Sequence, residues 1–518
     1  MLLFLPSEPL AQRDLETITS EEELKQYINA VAPEEDAFVA VQRLAASHLE
    51  NKNWKVATKI FERYRELFPN MILRFDEIIN LLNTPSQNLT LTNISGVNTE
   101  ADEYFPVLTI DGKKMYFTGS GRADGFGGED IYYSEFKDNV WNIPKNLAKP
   151  FSTKGDDAIN SVSADGNVLV LFGNYKGAFG GGDNFYVERK SYGWTEIKIF
   201  PKPLNSTYWD CDGFLTADGK AFLFSSDRKG GIGEFHKGGI FFHGYYEGNT
   251  DIYVCLKTDA GWSDPINLGN KINTPYTERS PFLHPDGKTL YFSSDGHYGL
   301  GGLDVFKVVR QSENSWTDWS DPVNLGKDIN TGGFDVAYKI STDGQLAYFS
   351  SNRTGGFGGY DIYSITLPED AKPKKNVVTI KGKVTDENDL PLEADLKWYE
   401  LSSNENVGLL KSNPETGDYL IALPVGKNYS YFAEKTGYYS VSNEIDLSDE
   451  KSFKEINVDI KLISIKTLQE TGTGIKLNNI YFDFDKYDLK PESFTELDRL
   501  FLFLTDNSGI NVEISAHT

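Results

Sequence analysis

GFGGEDIY (Gly125–Tyr132), AFGGGDNFY (Ala178–Tyr186), GLGGLDVF (Gly299–Phe306) and GFGGYDIY (Gly356–Tyr363) are four writings of one phrase. A fifth, NTDIY (Asn249–Tyr253), keeps only its end. The phrases follow the steps Asp111-Gly112, Asp165-Gly166, Asp218-Gly219, Asp286-Gly287 and Asp343-Gly344. Asp-Gly between apolar-polar alternations is a strong hairpin signal. Each unit therefore reads as strand, tight turn, strand, glycine-rich loop and third strand. A tryptophan and a PxNLG-type strand close it: Trp141, Trp194, Trp262 with Pro265–Gly269, and Trp319 with Pro322–Gly326. Successive Asp-Gly steps lie 54, 53, 68 and 57 residues apart. A repeat near that length holding four short strands is the signature of a propeller blade, and five copies give five blades.

The last copy lacks its closing strand, because DIYSITLP runs into a charged linker. LTNISGVNTE (Leu91–Glu100) resembles INLGNKINTP from Ile266. A strand over Leu91–Thr99 is therefore expected to complete the fifth blade and remove the open sheet edges.

The chain carries 51 basic against 76 acidic side chains, a net charge of −25. That field excludes nucleic acid as a partner. No apolar run is long enough for a transmembrane span. Cys211 and Cys255 fall in the first and third strands of one blade, which reads as two buried thiols and not as a disulfide.

Around the ring stand four smaller regions. Residues 1–12, MLLFLPSEPLAQ, read as the remnant of an export signal. Residues 13–87 are helical, opening on a capping box at Ser20 and Glu23. Within them Leu44, Ala45, His48, Ala57, Phe61 and Pro69 resemble a tetratricopeptide repeat. So short an array needs a neighbour to dock on, most simply the propeller of residues 88–370. Residues 377–465 alternate in Ile380, Gly382, Val384 and in Tyr419, Ile421, Leu423; they resemble a carboxypeptidase-regulatory-like β-sandwich. Residues 472–518 resemble the first half of the OmpA-type C-terminal domain. A strand at Ile480–Phe484, a helix from Pro491 and a strand ending in SAHT follow in order.

The expected fold class is thus multidomain and mainly β: an N-terminal α-helical repeat, a five-bladed β-propeller, a small β-sandwich and a partial α/β OmpA-like domain. This order resembles the periplasmic OmpA-family multidomain proteins of Bacteroidetes, which include the PorE-type component of the type IX secretion system. The resemblance implies a non-enzymatic periplasmic scaffold associated with the outer membrane, linking secretion-system proteins to peptidoglycan. It puts Asp485, His517 and Thr518 at the rim of the peptidoglycan pocket. The family's key acidic residue and arginine follow the His-Thr step, so this part of the site is expected to be incomplete. The alternative is a propeller-borne glycan-binding protein or glycosidase with paired carboxylates in the central channel.

No catalytic residue, metal ligand or cofactor is assigned. GxGGxD looks like a calcium-binding nonapeptide, but that motif recurs every nine residues, whereas here the interval is about fifty. The glycines are expected to supply positive φ, and the aspartate to accept backbone hydrogen bonds. His236 and His243 share one loop without a ligand spacing. In the third unit the DIY strand comes 33 residues after Asp218, against 18 or 19 elsewhere. The surplus carries Phe235, Phe241, Phe242, Tyr245 and Tyr246, a candidate partner-binding loop.

Overall fold

The computed structural model describes residues 15–87, 89–173, 175–233, 240–241, 244–245, 249–472, 474–475, 477–478, 480–507 and 513. Four helices come first: α1 (Glu21–Val31), α2 (Glu35–Glu50), α3 (Trp54–Tyr64) and α4 (Ile72–Asn83). Ser20 caps α1, its hydroxyl accepting from the Glu23 amide at 3.2 Å. Phe38, Phe61, Phe68 and Phe75 form an aromatic core between the helices.

Five antiparallel sheets follow. Their innermost strands are Asp102–Leu108, Asp157–Val162, Asp210–Leu215, Glu278–Leu283 and Asp335–Ile340. Each touches the next, and the last touches the first, so the sheets form a closed ring. Leu91–Asn93 is the outer strand of the fifth sheet, pairing antiparallel with Tyr363–Ile365 in the register Leu91↔Ile365. Closure therefore comes from the N-terminal side, but the strand is shorter than the sequence suggests. After Asn93 the chain turns, and the Asn98 side chain takes over the pairing. Its Oδ1 accepts from Ile362 N at 2.9 Å and its Nδ2 donates to Ile362 O at 2.7 Å.

The glycines divide into two jobs. Those of the Asp-Gly turns have φ between 65° and 71°, the conformation such turns need. In the GxGG loops the expectation of positive φ is wrong. The second glycine of the motif is needed for close approach to the neighbouring blade. A Cβ would lie 2.3 Å from Gly155 O at Gly127, 2.3 Å from Tyr208 O at Gly180 and 1.8 Å from Ala101 O at Gly358. The aspartates act as expected. Asp130, Asp183, Asp251, Asp304 and Asp361 each accept a loop amide at 2.6 to 2.8 Å.

The helices sit on the GxGG face of the ring. Leu300 joins their core, and Gln42 Nε2 donates to Gly299 O and Gly301 O, both at 3.1 Å. Lys327 Nζ donates to Leu82 O at 2.5 Å, near the end of α4. On the opposite face the Asp-Gly turns meet a two-sheet sandwich spanning Val377–Ser464. Lys411 N donates to Asp165 Oδ2 at 3.0 Å, and Leu409 N to Asp218 O at 3.1 Å. The sandwich core buries Ile380, Val384, Tyr419, Ile421 and Leu423 around Trp398, as their alternation predicts. The expected strand at Ile480–Phe484 is only an isolated bridge, Phe482↔Leu489. The helix expected from Pro491 begins with a 3-10 turn and continues as Phe494–Asp506. It rests on the sandwich through Phe503 on Tyr439, with ring centres 5.0 Å apart, and Arg499 over Phe432.

Asn98→Ala removes both hydrogen bonds and leaves a buried amide and carbonyl unmatched. A loss of about 2–4 kcal/mol in unfolding free energy is expected, read from the urea midpoint. An unchanged midpoint would show that the ring closes without this side chain.

Candidate functional site

The alternative reading asks for paired carboxylates in the central channel, so the acids of the inner strands come first. Asp157, Asp210, Glu278 and Asp335 open four of the strands, and Glu103 is the second residue of the other. Each accepts the amide four residues earlier, at 2.5 to 2.8 Å. Arginines cover three of them: Arg122 on Glu103 at 2.5 Å, Arg228 on Asp210 at 2.6 Å and Arg353 on Asp335 at 2.8 Å. Glu278 is held by the Thr274 and Ser294 hydroxyls, and burial pushes its pKa well above the usual carboxylate range. These acids recur with the repeat and are spent on backbone amides.

One acid stands outside the repeat. Each inner strand carries a bulge, and at Phe105, Asp212, Ser280 and Ala337 the bulged residue has φ of 53° to 56°. Only at Asp212 is that residue a carboxylate. It accepts from Arg279 Nε at 2.5 Å and Nη2 at 2.9 Å, and from Ser280 N at 2.8 Å, with both partners of the pair almost fully buried. Bidentate geometry makes the contact strong and directional. Trp209 covers the guanidinium at 4.6 Å.

Beside this pair is a chamber of about 50 Å³, lined by Asn160, Ser161, Phe214, Phe282, Lys339 and Thr342 among others. Lys339 is 6% exposed, and burial pulls its ammonium down to about 8, against the attraction of Asp212. No carboxylate belongs to the described lining of this chamber. Where ring and sandwich meet lies a larger cleft of about 750 Å³. Tyr116, Glu135, Arg189, Lys383, Asp418 and Tyr419 are in its walls. Its size is that of ligand-binding clefts in general.

Most of the residues singled out from sequence lie outside the described ones. Phe241 and Tyr245 lie in a two-strand hairpin with the register Ile240↔Tyr245 and Phe241↔Gly244. Phe235, Phe242, Tyr246, His236 and His243 lie outside the described residues, as do His517 and Thr518. Asp485 is exposed in a turn with φ 56°. Cys211 and Cys255 are free and buried. Among the described residues no cluster of His, Cys, Asp and Glu could hold a metal ion, and no helix is long and apolar enough to cross a membrane. Sequence reasoning missed the Asp212–Arg279 pair and Lys339. Their one visible signal is departure from the repeat, a charged residue where the other units place none.

No family model and no curated protein matches this chain. Solved structures do. An α-L-arabinofuranosidase from Lactobacillus brevis aligns at 14% identity over 53% of this chain and 93% of its own, with a TM-score of 0.34. A levansucrase of B. megaterium aligns at 12% identity over 58% and 94%, with a TM-score of 0.36. A catechol 1,2-dioxygenase from Acinetobacter radioresistens aligns at 14% identity over 18% of this chain, with a TM-score of 0.15. The chain spans about half the length of that dioxygenase. Likeness at these scores carries no inference about substrate. The sequence expectation of a non-enzymatic chain is corrected to this extent: structures that align over half of the chain are named as enzymes, an arabinofuranosidase and a levansucrase, and the likeness decides nothing about this chain's own activity.

Asp212→Ala strands the buried Arg279 charge and should cost roughly 3–5 kcal/mol of stability. Asp212→Leu combined with Arg279→Met should cost markedly less, measured by chemical denaturation. Equal losses would show that the pair does not act as one unit.

Proposed function

We propose that the chain is a binding scaffold of the cell envelope, periplasmic and associated with the outer membrane. In this reading it ties partner proteins held on the ring to peptidoglycan bound through a completed OmpA-type C-terminal domain. The observation that carries it is a repeated docking position. Blade four gives Leu300 and Lys327 to the N-terminal helices. Blade one places Phe126 and Lys149 at the matching points of its GxGG loop and its NLxK segment, Asn146–Lys149 against Asn324–Lys327. Both are exposed, Phe126 by 52%. An exposed aromatic side chain on a loop carried by a rigid ring suits a protein partner. The module order, with its resemblance to type IX secretion components, supports envelope proteins as those partners.

A photo-crosslinking amino acid at Phe126, in the cells that make the protein, should trap envelope proteins. The same probe at the exposed Tyr192 serves as control. Equal yields at both positions would remove the partner-binding half of the reading. For the wall, the test is sedimentation with purified peptidoglycan. A form extended through the second half of an OmpA-type domain should pellet with it. Failure of the extended form to pellet would overturn the wall-binding half.

A second reading, glycan binding or hydrolysis, is favoured by the 750 Å³ cleft, which has Tyr116 and the carboxylates of Glu135 and Asp418 in its walls. It moves the site from the central channel to the junction of ring and sandwich. Glu135 is paired with Lys114 at 3.6 Å and Asp418 with Lys383 at 3.8 Å. Reducing-end release from peptidoglycan or other glycans, lost in Glu135→Gln or Asp418→Asn, would support it. No release from any glycan tested would leave the scaffold reading alone.

A further inference from the structure

Among the described residues, Lys339 is a buried cation on an inner strand with no carboxylate paired to it. Asp212 and Arg279 cancel one another, and Ser280 N takes part of what the carboxylate has left. Lys339 is then a second cation, reaching the axis from the fifth blade. Its ammonium lies between two rings, 5.3 Å from the centre of Phe214 and 5.2 Å from that of Phe282. Aromatic faces stabilise a cation but do not neutralise it. Among the described residues no carboxylate lies within ion-pair distance of this amine, and Asp212 acts on it only from further off. A buried charge without a counter-charge is costly, and such a group either sheds its proton or acquires an ion. Burial lowers the proton affinity of Lys339, and the field of Asp212 works against that loss.

Space for an ion adjoins it. The chamber of about 50 Å³ has Asn160 in its polar wall, the hydroxyl hydrogens of Ser161 and Thr342 being given to Gly213 O and Ile110 O, and the two phenylalanines among its apolar ones. That volume holds a few waters or an ion of one to three heavy atoms. We propose that the axial chamber is a binding site for a small monovalent anion, a halide or formate, held against the Lys339 ammonium. The ion supplies the counter-charge of the Lys339 ammonium and reaches from the fifth blade toward Asn160 of the second.

The probes are chloride and formate, with gluconate as an anion too large for the chamber, at constant ionic strength and pH 7. With the full chain, chloride NMR lines should broaden beyond the value in buffer, and formate should reverse the excess. Lys339→Met should lose that excess while keeping the wild-type circular dichroism. The melting temperature of the wild type should rise with chloride or formate in place of gluconate, and that of the variant should not. Equal responses in wild type and variant would mean general salt effects and overturn the site. Absence of excess broadening in the wild type overturns it without recourse to the variant, so a misfolded variant does not shelter the proposal.

Discussion

Every blade is fastened to the next by hydrogen bonds at the corner between them, and the rest of the structure depends on this clasp. A carboxylate at the head of each inner strand takes the amide four residues before it. In four of the five junctions an asparagine at the preceding corner gives both its amide atoms to one residue of a third strand: Asn98 to Ile362, Asn205 to Asn184, Asn273 to Ile252 and Asn330 to Val305. At the remaining junction Ser152 accepts from Ile131 N. The GxGG backbone then packs against the same corner at distances a Cβ would not allow. Buried amides and carbonyls need partners, and in a ring these corners are where ladders end. The clasp matches those groups and fixes the angle between sheets.

With the blades locked, the two faces become separate platforms. One holds the helices through Leu300, Gln42 and Lys327. The other holds the sandwich through Asp165 and Asp218. A ring gripped on both faces transmits position from one module to the other.

Much of this was legible in the residues. Asp-Gly steps, period-two alternation and the displaced copy at Leu91 are local patterns, and they located the strands and the source of the closing one. The aspartates of GxGGxD were also readable, because an acceptor after three small residues has few other uses. The glycines were misread because close approach between blades leaves no local mark. Asn98, Asn205, Asn273 and Asn330 look like ordinary turn residues until the third strand is in place. Arg279 and Asp212 are 67 residues apart and meet only when neighbouring blades do. Lys339 looks like the polar half of an alternating strand; the bulge at Ala337 shifts the register and turns it to the axis. The aromatic insert and the OmpA-like segment drew attention by composition and resemblance, and neither pattern specifies what the side chains touch.

Ring closure by an N-terminal strand is the claim on which these relations rest, and native-state hydrogen exchange tests it most directly. The amides of Asp361–Thr366, which take their outer partner from Leu91–Asn93, can be compared with those of Glu278–Leu283 in the fourth blade. A closed, cooperative ring predicts that both strands open with the same free energy, that of global unfolding. Exchange of Asp361–Thr366 at much lower free energy, with the fourth blade still protected, would contradict it and describe an open arc of sheets.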